Sequence, residues 1–105
     1  MKRKSILYHC TAPENIEGIK AKGLVTYAKR SASAIYLSEK PLSWWQEGLR
    51  ILRVDISGLD NIQATTFLPE SDEILFWGDI PYWKRTKNGF VPRITDVTDK
   101  YVGGK

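Results

Sequence analysis

Short apolar stretches separated by polar turns run along the chain, and most have the length of a β-strand. The clearest alternation lies over 50–56, where Leu52, Val54 and Ile56 predict one buried face. The stretch over 73–77 is strongly β-prone and ends at Gly78-Asp79. The pattern therefore predicts strands over 6–10, 34–37, 50–56, 62–67 and 73–77, and a further strand near 91–94.

Two helices are expected in the first half of the chain. Thr11-Ala12-Pro13-Glu14 matches a capping box with proline in the first turn, and Gly23 suits a helix end, so we predict a helix over 12–22. Pro41 is expected to open a second short helix that carries Leu42, Trp44, Trp45 and Leu49. The stretch over 26–33 is polar and basic, which is typical of a loop.

Five or six short strands with two early helices favour an α+β fold over an alternating βαβ arrangement. A length of 105 residues predicts one domain over 1–105 and, we expect, a monomer. One cysteine, Cys10, excludes an intramolecular disulfide, and with one histidine, His9, it makes a metal site improbable. We expect Cys10 to face the core and assign it no nucleophilic role.

The apolar stretches are too short for a signal peptide or a membrane span, so we expect a cytoplasmic protein without a membrane partner. The net charge of +4 favours an anionic partner such as a pyrophosphate, a nucleic acid or an acidic protein. Basic residues cluster at Lys2-Arg3-Lys4 and at Lys84-Arg85-Lys87, and solvated surface is the favoured interpretation of both. Core packing is the favoured interpretation of the four tryptophans, with stacking on single-stranded nucleic acid as the alternative: Trp44, Trp45, Trp77 and Trp83.

Three segments place a functional side chain on a predicted strand: Tyr8-His9-Cys10-Thr11, Ile35-Tyr36-Leu37-Ser38 and Glu73-Ile74-Leu75-Phe76-Trp77. The order His-Tyr-Glu in these contexts resembles the diphtheria-toxin and poly(ADP-ribose)-polymerase branch of the ADP-ribosyltransferase superfamily. The resemblance covers roughly residues 6–83 and implies a small split β-sheet core with two short helices. It also implies NAD as the substrate, without a metal.

The resemblance assigns a role to each residue. His9 would hydrogen-bond the ribose next to the nicotinamide, with the neighbouring groups of Cys10 and Thr11 holding the carboxamide. Tyr36 would stack on the nicotinamide ring, with Ser38 beside it on the same strand. Glu73 would hold the ribose 2′-hydroxyl and favour the cationic transition state, with Glu70 and Asp72 as rivals. Apart from the resemblance, the pyrophosphate needs a positive partner, and Arg30, in the loop just before the Tyr36 strand, ranks ahead of Arg53 on its strand.

The chemistry supports these residue types independently. Breaking the nicotinamide–ribose bond builds oxocarbenium character on the sugar, which a fixed carboxylate stabilises more than it stabilises the ground state. An aromatic face suits a cationic nicotinamide. A neutral imidazole can donate to one group and accept from another, as a ribose hydroxyl requires.

The leading hypothesis is a mono-ADP-ribosyltransferase that modifies a macromolecule, either protein or nucleic acid. The chain is shorter than is usual in this superfamily, so a non-catalytic nucleotide- or nucleic-acid-binding module of the same fold is the alternative. A third possibility is an interaction domain that has lost the pocket. The RNA 2′-phosphotransferase branch shares the opening His motif but depends on additional Arg and His positions, so a chain with one histidine fits it poorly. By association with the family, a transferase of this size would suit a toxin or a phage effector.

Overall fold

The computed structural model describes residues 5–25, 35–43, 45–59, 66–68, 73–76 and 78–102. Within them the chain forms two short α-helices, α1 (Ile16–Lys22) and α2 (Thr98–Tyr101), and a 3-10 turn over Pro13–Asn15. It also forms eight strands: β1 (Ile6–Thr11), β2 (Ile35–Ser38), β3 (Arg50–Asp55), β4 (Thr66–Leu68), β5 (Glu73–Phe76), β6 (Trp83–Thr86), β7 (Gly89–Pro92) and β8 (Ile94–Asp96).

Six of these strands form one antiparallel sheet in the order β4-β5-β2-β1-β3-β8, and β6 and β7 form a separate hairpin. The predicted α+β class is confirmed at this level, with mostly antiparallel strands and two short helices. The strand order brings β1, β2 and β5 side by side. These are the strands that carry the three segments singled out from the sequence.

The core lies on one face of the large sheet. Strands alternate their side chains between faces, so Leu7 and Leu37 point into the core while Tyr8 and Tyr36 point to the opposite side. Ile16 and Ile19 of α1 pack against this core, which explains the apolar spacing of that helix. The core cluster is Leu7, Leu24, Ile35, Leu37, Leu52, Val54, Ile56, Ile74, Phe76, Ile80 and Ile94.

The opposite face carries α2. The rings of Tyr8 and Tyr101 meet edge to face with centroids 6.0 Å apart. The backbone N–H of Ile51 donates to the hydroxyl of Thr98 at 2.7 Å, and the N–H of Val97 donates to the carbonyl of Ile51 at 2.9 Å. These contacts hold α2 against β1 and β3, which explains why Ile51 is fully buried although it lies on the far face of its strand.

The predicted start of the first helix is wrong in its details. Ala12, not Thr11, precedes the first turn, and that turn is a 3-10 turn followed by α1. The hydroxyl of Thr11 accepts a hydrogen bond from the side-chain amide of Asn15 at 3.0 Å, so the expected exchange with Glu14 does not form. Proline in the first turn and the end at Gly23 agree with the prediction.

The predicted second helix is also wrong. Residues 41–43 and 47–48 form turns, residues 45, 46 and 49 have no regular structure, and the second helix of the described chain is α2 near the C-terminus. The indole N–H of Trp45 donates to the carbonyl of Leu49 at 2.8 Å, which closes a compact turn where a helix was expected. Gly48, at φ 94°, lies within this turn in a conformation that an α-helix does not use.

The hairpin of β6 and β7 was missed apart from the strand expected near 91–94. Thr86 pairs with Gly89, leaving Lys87-Asn88 as a two-residue loop. Gly89 has φ 115°, a conformation that favours glycine. Asn-Gly between two short β-prone runs was the available hairpin signal. Of the predicted strand over 62–67, residues 62–65 lie outside the described ranges, and the described part lies in β4, Thr66–Leu68.

Several expectations concern residues outside the described ranges: the loop over 26–33 with Arg30, the side chains of Trp44 and Trp77, and the rivals Glu70 and Asp72. Within the described ranges, no helix is both long and apolar enough to cross a membrane.

Candidate functional site

The candidate site lies where β1 and β2 part. β1 pairs with β3 through six residue pairs but with β2 through the single pair Tyr8–Ser38. β2 itself continues through four pairs with β5, ending at Ser38–Glu73. Among the described residues, β1 pairs extensively with β3 and β2 with β5, whereas β1 and β2 pair with each other at one position only. The β1–β2 junction separates the His9 segment from the other two segments.

A row of residues crosses the sheet at the junction. Tyr8 lies opposite Ser38, and Ser38 lies opposite Glu73. Adjacent strands in a sheet are about 4.8 Å apart. His9 directly follows Tyr8, and Tyr36 precedes Ser38 by two residues. The backbones of the three predicted catalytic residues are therefore near neighbours, as the sequence hypothesis requires.

His9 and Tyr36 do not share a face of the sheet. His9 lies opposite Leu52 of the core and two residues from Leu7, so its imidazole is on the core side. Tyr36 is 59% exposed on the other side. The structure brings the strands of the predicted triad together, but it does not put these two side chains on one surface.

The imidazole of His9 makes a defined contact across the junction. Its Nδ1 lies 2.9 Å from the backbone carbonyl oxygen of Tyr36. A carbonyl can only accept, so Nδ1 carries the hydrogen and, in the neutral ring, Nε2 keeps its lone pair. Burial lowers the pKa of His9 below its ordinary value, and the bond to the Tyr36 carbonyl only partly offsets this effect. At neutral pH the imidazole of His9 is therefore neutral, and its Nε2 can accept a hydrogen bond from a hydroxyl group.

Cys10 corrects the predicted orientation of β1. It lies opposite Ile51 and two residues from Tyr8, which puts it on the α2 side of the sheet and not in the core. Leu7 fixes the alternation of this strand, so His9 lies on the core side and Cys10 lies on the side opposite to its prediction. Burial raises the pKa of the Cys10 thiol, which favours the protonated form.

Thr11 and Ser38 are buried, and both hydroxyls have protein partners. Thr11 accepts from Asn15, and Ser38 donates to the carbonyl of Lys40 at 2.7 Å. The Ser38 contact closes the turn that follows β2. The positions of these two hydroxyls are thus explained by local structure at the ends of β1 and β2.

Tyr36 differs from its neighbours on β2. Ile35, Leu37 and Ser38 are buried, whereas the ring of Tyr36 is open to solvent. Core packing, the ordinary explanation of a tyrosine in an apolar strand, does not apply to it. An exposed aromatic ring beside the β1–β2 junction is a surface on which a planar ring can stack.

A groove of about 510 Å³ lies elsewhere, between α2 and the turn before β3. Arg50 lines it, but the Nε of Arg50 donates to Asp96 at 2.8 Å and its guanidinium lies 4.0 Å from Asp99. Arg50 is thus neutralised within the protein and makes a poor partner for a pyrophosphate. None of His9, Tyr36 and Ser38 lines this groove.

Arg53, the other candidate partner of the pyrophosphate, lies opposite Tyr8 on the α2 side of β3. It is half-buried and shares the cross-strand row of Tyr8 and Ser38. In the described residues, no group of three or more His, Cys, Asp and Glu side chains could hold a metal ion.

Two features of the surface were missed from the sequence. Trp83 was expected in the core but is 54% exposed, and Phe90 on the paired strand is 67% exposed.

No family model matches the chain, and no curated protein matches its sequence.

Proposed function

We propose that the chain is a mono-ADP-ribosyltransferase that uses NAD as its substrate at the junction of β1 and β2. The observation that carries the proposal is the His9 contact: a neutral imidazole bridges the two strands, one residue from the row that contains Glu73. The strand order supports the proposal, because it makes neighbours of three segments that lie far apart in the sequence.

In the proposed reaction, the bond between nicotinamide and ribose C1′ breaks and nicotinamide leaves with the bonding electron pair. A nucleophile of the acceptor forms the new bond to C1′ and loses its proton. The carboxylate of Glu73 stabilises the positive charge that develops on the ribose. Tyr36 provides an open aromatic face for the nicotinamide ring before it leaves.

His9 has a positioning role in this proposal. With Nδ1–H held by the Tyr36 carbonyl, Nε2 can accept a hydrogen bond from a ribose hydroxyl. Because His9 and Tyr36 lie on opposite faces, the substrate must enter the junction itself, between β1 and β2, to meet both. A ligand on the exposed face alone would contact Tyr36 without His9.

The test is to incubate the protein with labelled NAD and measure nicotinamide release, with and without a cell lysate as the source of acceptor. Glu73→Gln keeps the size of the side chain and removes its charge, so it should retain NAD binding and lower turnover about 100-fold or more. Unchanged turnover in Glu73→Gln would remove Glu73 from the mechanism. Absence of nicotinamide release by the wild type, despite NAD binding, would favour the non-catalytic module.

A further inference from the structure

The hairpin of β6 and β7 presents one ordered outer face. Cross-strand pairs share a face, and the pairs Trp83–Pro92 and Arg85–Phe90 alternate with pairs that turn the other way. All four of these side chains are exposed. Trp83 and Phe90 are diagonal neighbours, about 7–8 Å apart, with Arg85 directly opposite Phe90. The face formed by Trp83, Arg85, Phe90 and Pro92 is called the outer hairpin face below.

Contacts on the inner side hold this hairpin in place. The Nζ of Lys84 donates to the hydroxyl of Ser57 at 2.6 Å and to the carboxylate of Asp55 at 3.3 Å. Arg93, which follows β7, is buried and donates to the carbonyls of Asp55 and Ser57 at 3.0 and 2.8 Å. Two cations thus anchor the hairpin to the end of β3, and the outer hairpin face is formed before any ligand arrives.

The hairpin segment is one of the basic parts of the chain. Residues 80–95 contain four cations, Lys84, Arg85, Lys87 and Arg93, and no acidic residue, giving +4. The whole chain has 16 basic and 12 acidic residues, also +4, so the other residues sum to zero. Lys84 and Arg93 are used internally, whereas Arg85 and Lys87 are exposed and pair with no carboxylate in the described part of the chain.

We propose that the outer hairpin face binds single-stranded nucleic acid. Trp83 and Phe90 offer two aromatic surfaces to unpaired bases, and Arg85 and Lys87 offer charges to the phosphates beside them. The alternation of aromatic and cationic groups suits this partner, because bases and phosphates alternate along a single strand. A duplex hides its base faces in its own stack and can use only the charges.

This surface does not rest on the proposed transferase activity. It involves neither His9 nor Tyr36, and it would serve a nucleic-acid acceptor or a binding function equally. Failure of NAD binding would therefore leave the hairpin proposal intact, and the reverse also holds.

The experiment measures the fluorescence anisotropy of short labelled oligonucleotides titrated with the full chain, at a series of salt concentrations and without NAD. Single-stranded DNA and single-stranded RNA are separate arms, and a duplex of the same sequence is the third. At least one of the two single strands, DNA or RNA, should bind more tightly than the duplex. With two phosphate contacts, the slope of log K against log salt should be about −1.4.

Two variants separate stacking from charge. Phe90→Leu keeps an apolar side chain and removes the ring, so single-strand affinity should fall roughly 5- to 100-fold, whereas an apolar protein partner would tolerate it. Arg85→Gln should reduce the salt slope by about 0.7, while Lys20→Gln on α1, which removes the same charge elsewhere, should leave it unchanged. Thermal melts of each variant establish that it is folded.

Three results would overturn the proposal: no single-strand binding, duplex binding as tight as single-strand binding, or full affinity in folded Phe90→Leu. If Phe90→Leu keeps full affinity and Lys20→Gln reduces the salt slope as much as Arg85→Gln does, the binding is general electrostatic attraction by a basic protein. Full affinity in Phe90→Leu with a specific loss in Arg85→Gln would indicate a phosphate contact without stacking.

Discussion

At the scale of single residues, His9 joins the fold to the proposed chemistry. Its Nδ1–H donates to the backbone carbonyl of Tyr36, which lies where β1 and β2 pair at one position only. The same hydrogen bond orients Nε2. Burial keeps the ring neutral, because the charged form loses more on leaving water. One side chain therefore both closes the junction and provides an acceptor there.

The lowered pKa of His9 predicts how stability changes with pH. Below about pH 6.5 the unfolded chain takes up a proton at His9 that the folded chain resists, so the free energy of unfolding should fall as the pH drops from about 7 to 5. The slope should not exceed about 1.4 kcal/mol per pH unit. Urea unfolding across this range measures it.

His9→Gln is the control for this slope, since His9 is the single histidine. The variant should have a nearly flat profile between about pH 7 and 5, and an unchanged slope would contradict the assignment.

Asp55 and Asp96 affect stability at lower pH. Burial raises the pKa of each carboxylate, but hydrogen bonds lower it by more, so both pKa values lie below normal. The donors are Ser57 and Lys84 for Asp55, and Arg50 and Thr98 for Asp96. Their contribution is lost only in stronger acid, below about pH 4.

Gly23 is a second residue on which the fold depends. It ends α1 at φ 77°, and a Cβ there would overlap the carbonyl oxygen of Ile80, where Leu24 and Ile80 form an isolated antiparallel bridge. Gly23→Ala should therefore destabilise the protein by about 2 kcal/mol or more, through both the positive φ and the overlap.

Gly18 is the matched control for Gly23. It lies within α1 with no atom near the place of an added Cβ. Gly18→Ala should raise the free energy of unfolding by about 0.5–1 kcal/mol, because alanine is the better helix former. Denaturant unfolding of the two variants should give opposite signs, and equal effects would contradict this account of Gly23.

At the scale of elements, α2 is held by one buried hydroxyl. The Oγ1 of Thr98 accepts from the Ile51 N–H at 2.7 Å and donates to Asp96 at 2.7 Å. A helix of four residues has little stability of its own, so these bonds and the packing of Tyr101 on Tyr8 keep it on the sheet.

Thr98→Val keeps the shape and removes the acceptor, leaving the buried N–H of Ile51 without a partner. The cost should be about 1–3 kcal/mol of unfolding free energy. Thr98→Ser keeps the hydroxyl and should cost less. Thermal or denaturant unfolding compares the two, and a Thr98→Val variant as stable as Thr98→Ser would show that the bond to Ile51 contributes nothing.

At the scale of the whole molecule, the sequence predicts the central strands well, because β1, β2, β3 and β5 have apolar residues in local patterns that tertiary contacts did not override. It fails at the hairpin, where Trp83 and Phe90 point outward and the anchors are Lys84 and Arg93, which reach a distant turn. Charge in the sequence does not reveal which cation is buried.

The candidate site shows the same division. The resemblance implies that the segments of His9, Tyr36 and Glu73 lie near one another, and they do lie on the neighbouring strands β1, β2 and β5, while their shared role stays a prediction. The sequence could not predict the face of His9, because Ile6-Leu7-Tyr8 is apolar or aromatic at every position and leaves the alternation undetermined. Packing of Leu7 in the core decides it.

The central claim, a site for NAD between β1 and β2, is tested most directly by calorimetric titration of NAD into the wild type, His9→Gln, Tyr36→Ala and Phe90→Ala. With NAD bound between β1 and β2, the wild type and Phe90→Ala should bind NAD equally, and Tyr36→Ala and His9→Gln should each bind it at least about tenfold more weakly, a loss of about 1.4 kcal/mol. Wild-type protein that binds no NAD, or a loss of affinity in Tyr36→Ala with none in His9→Gln, would contradict the claim.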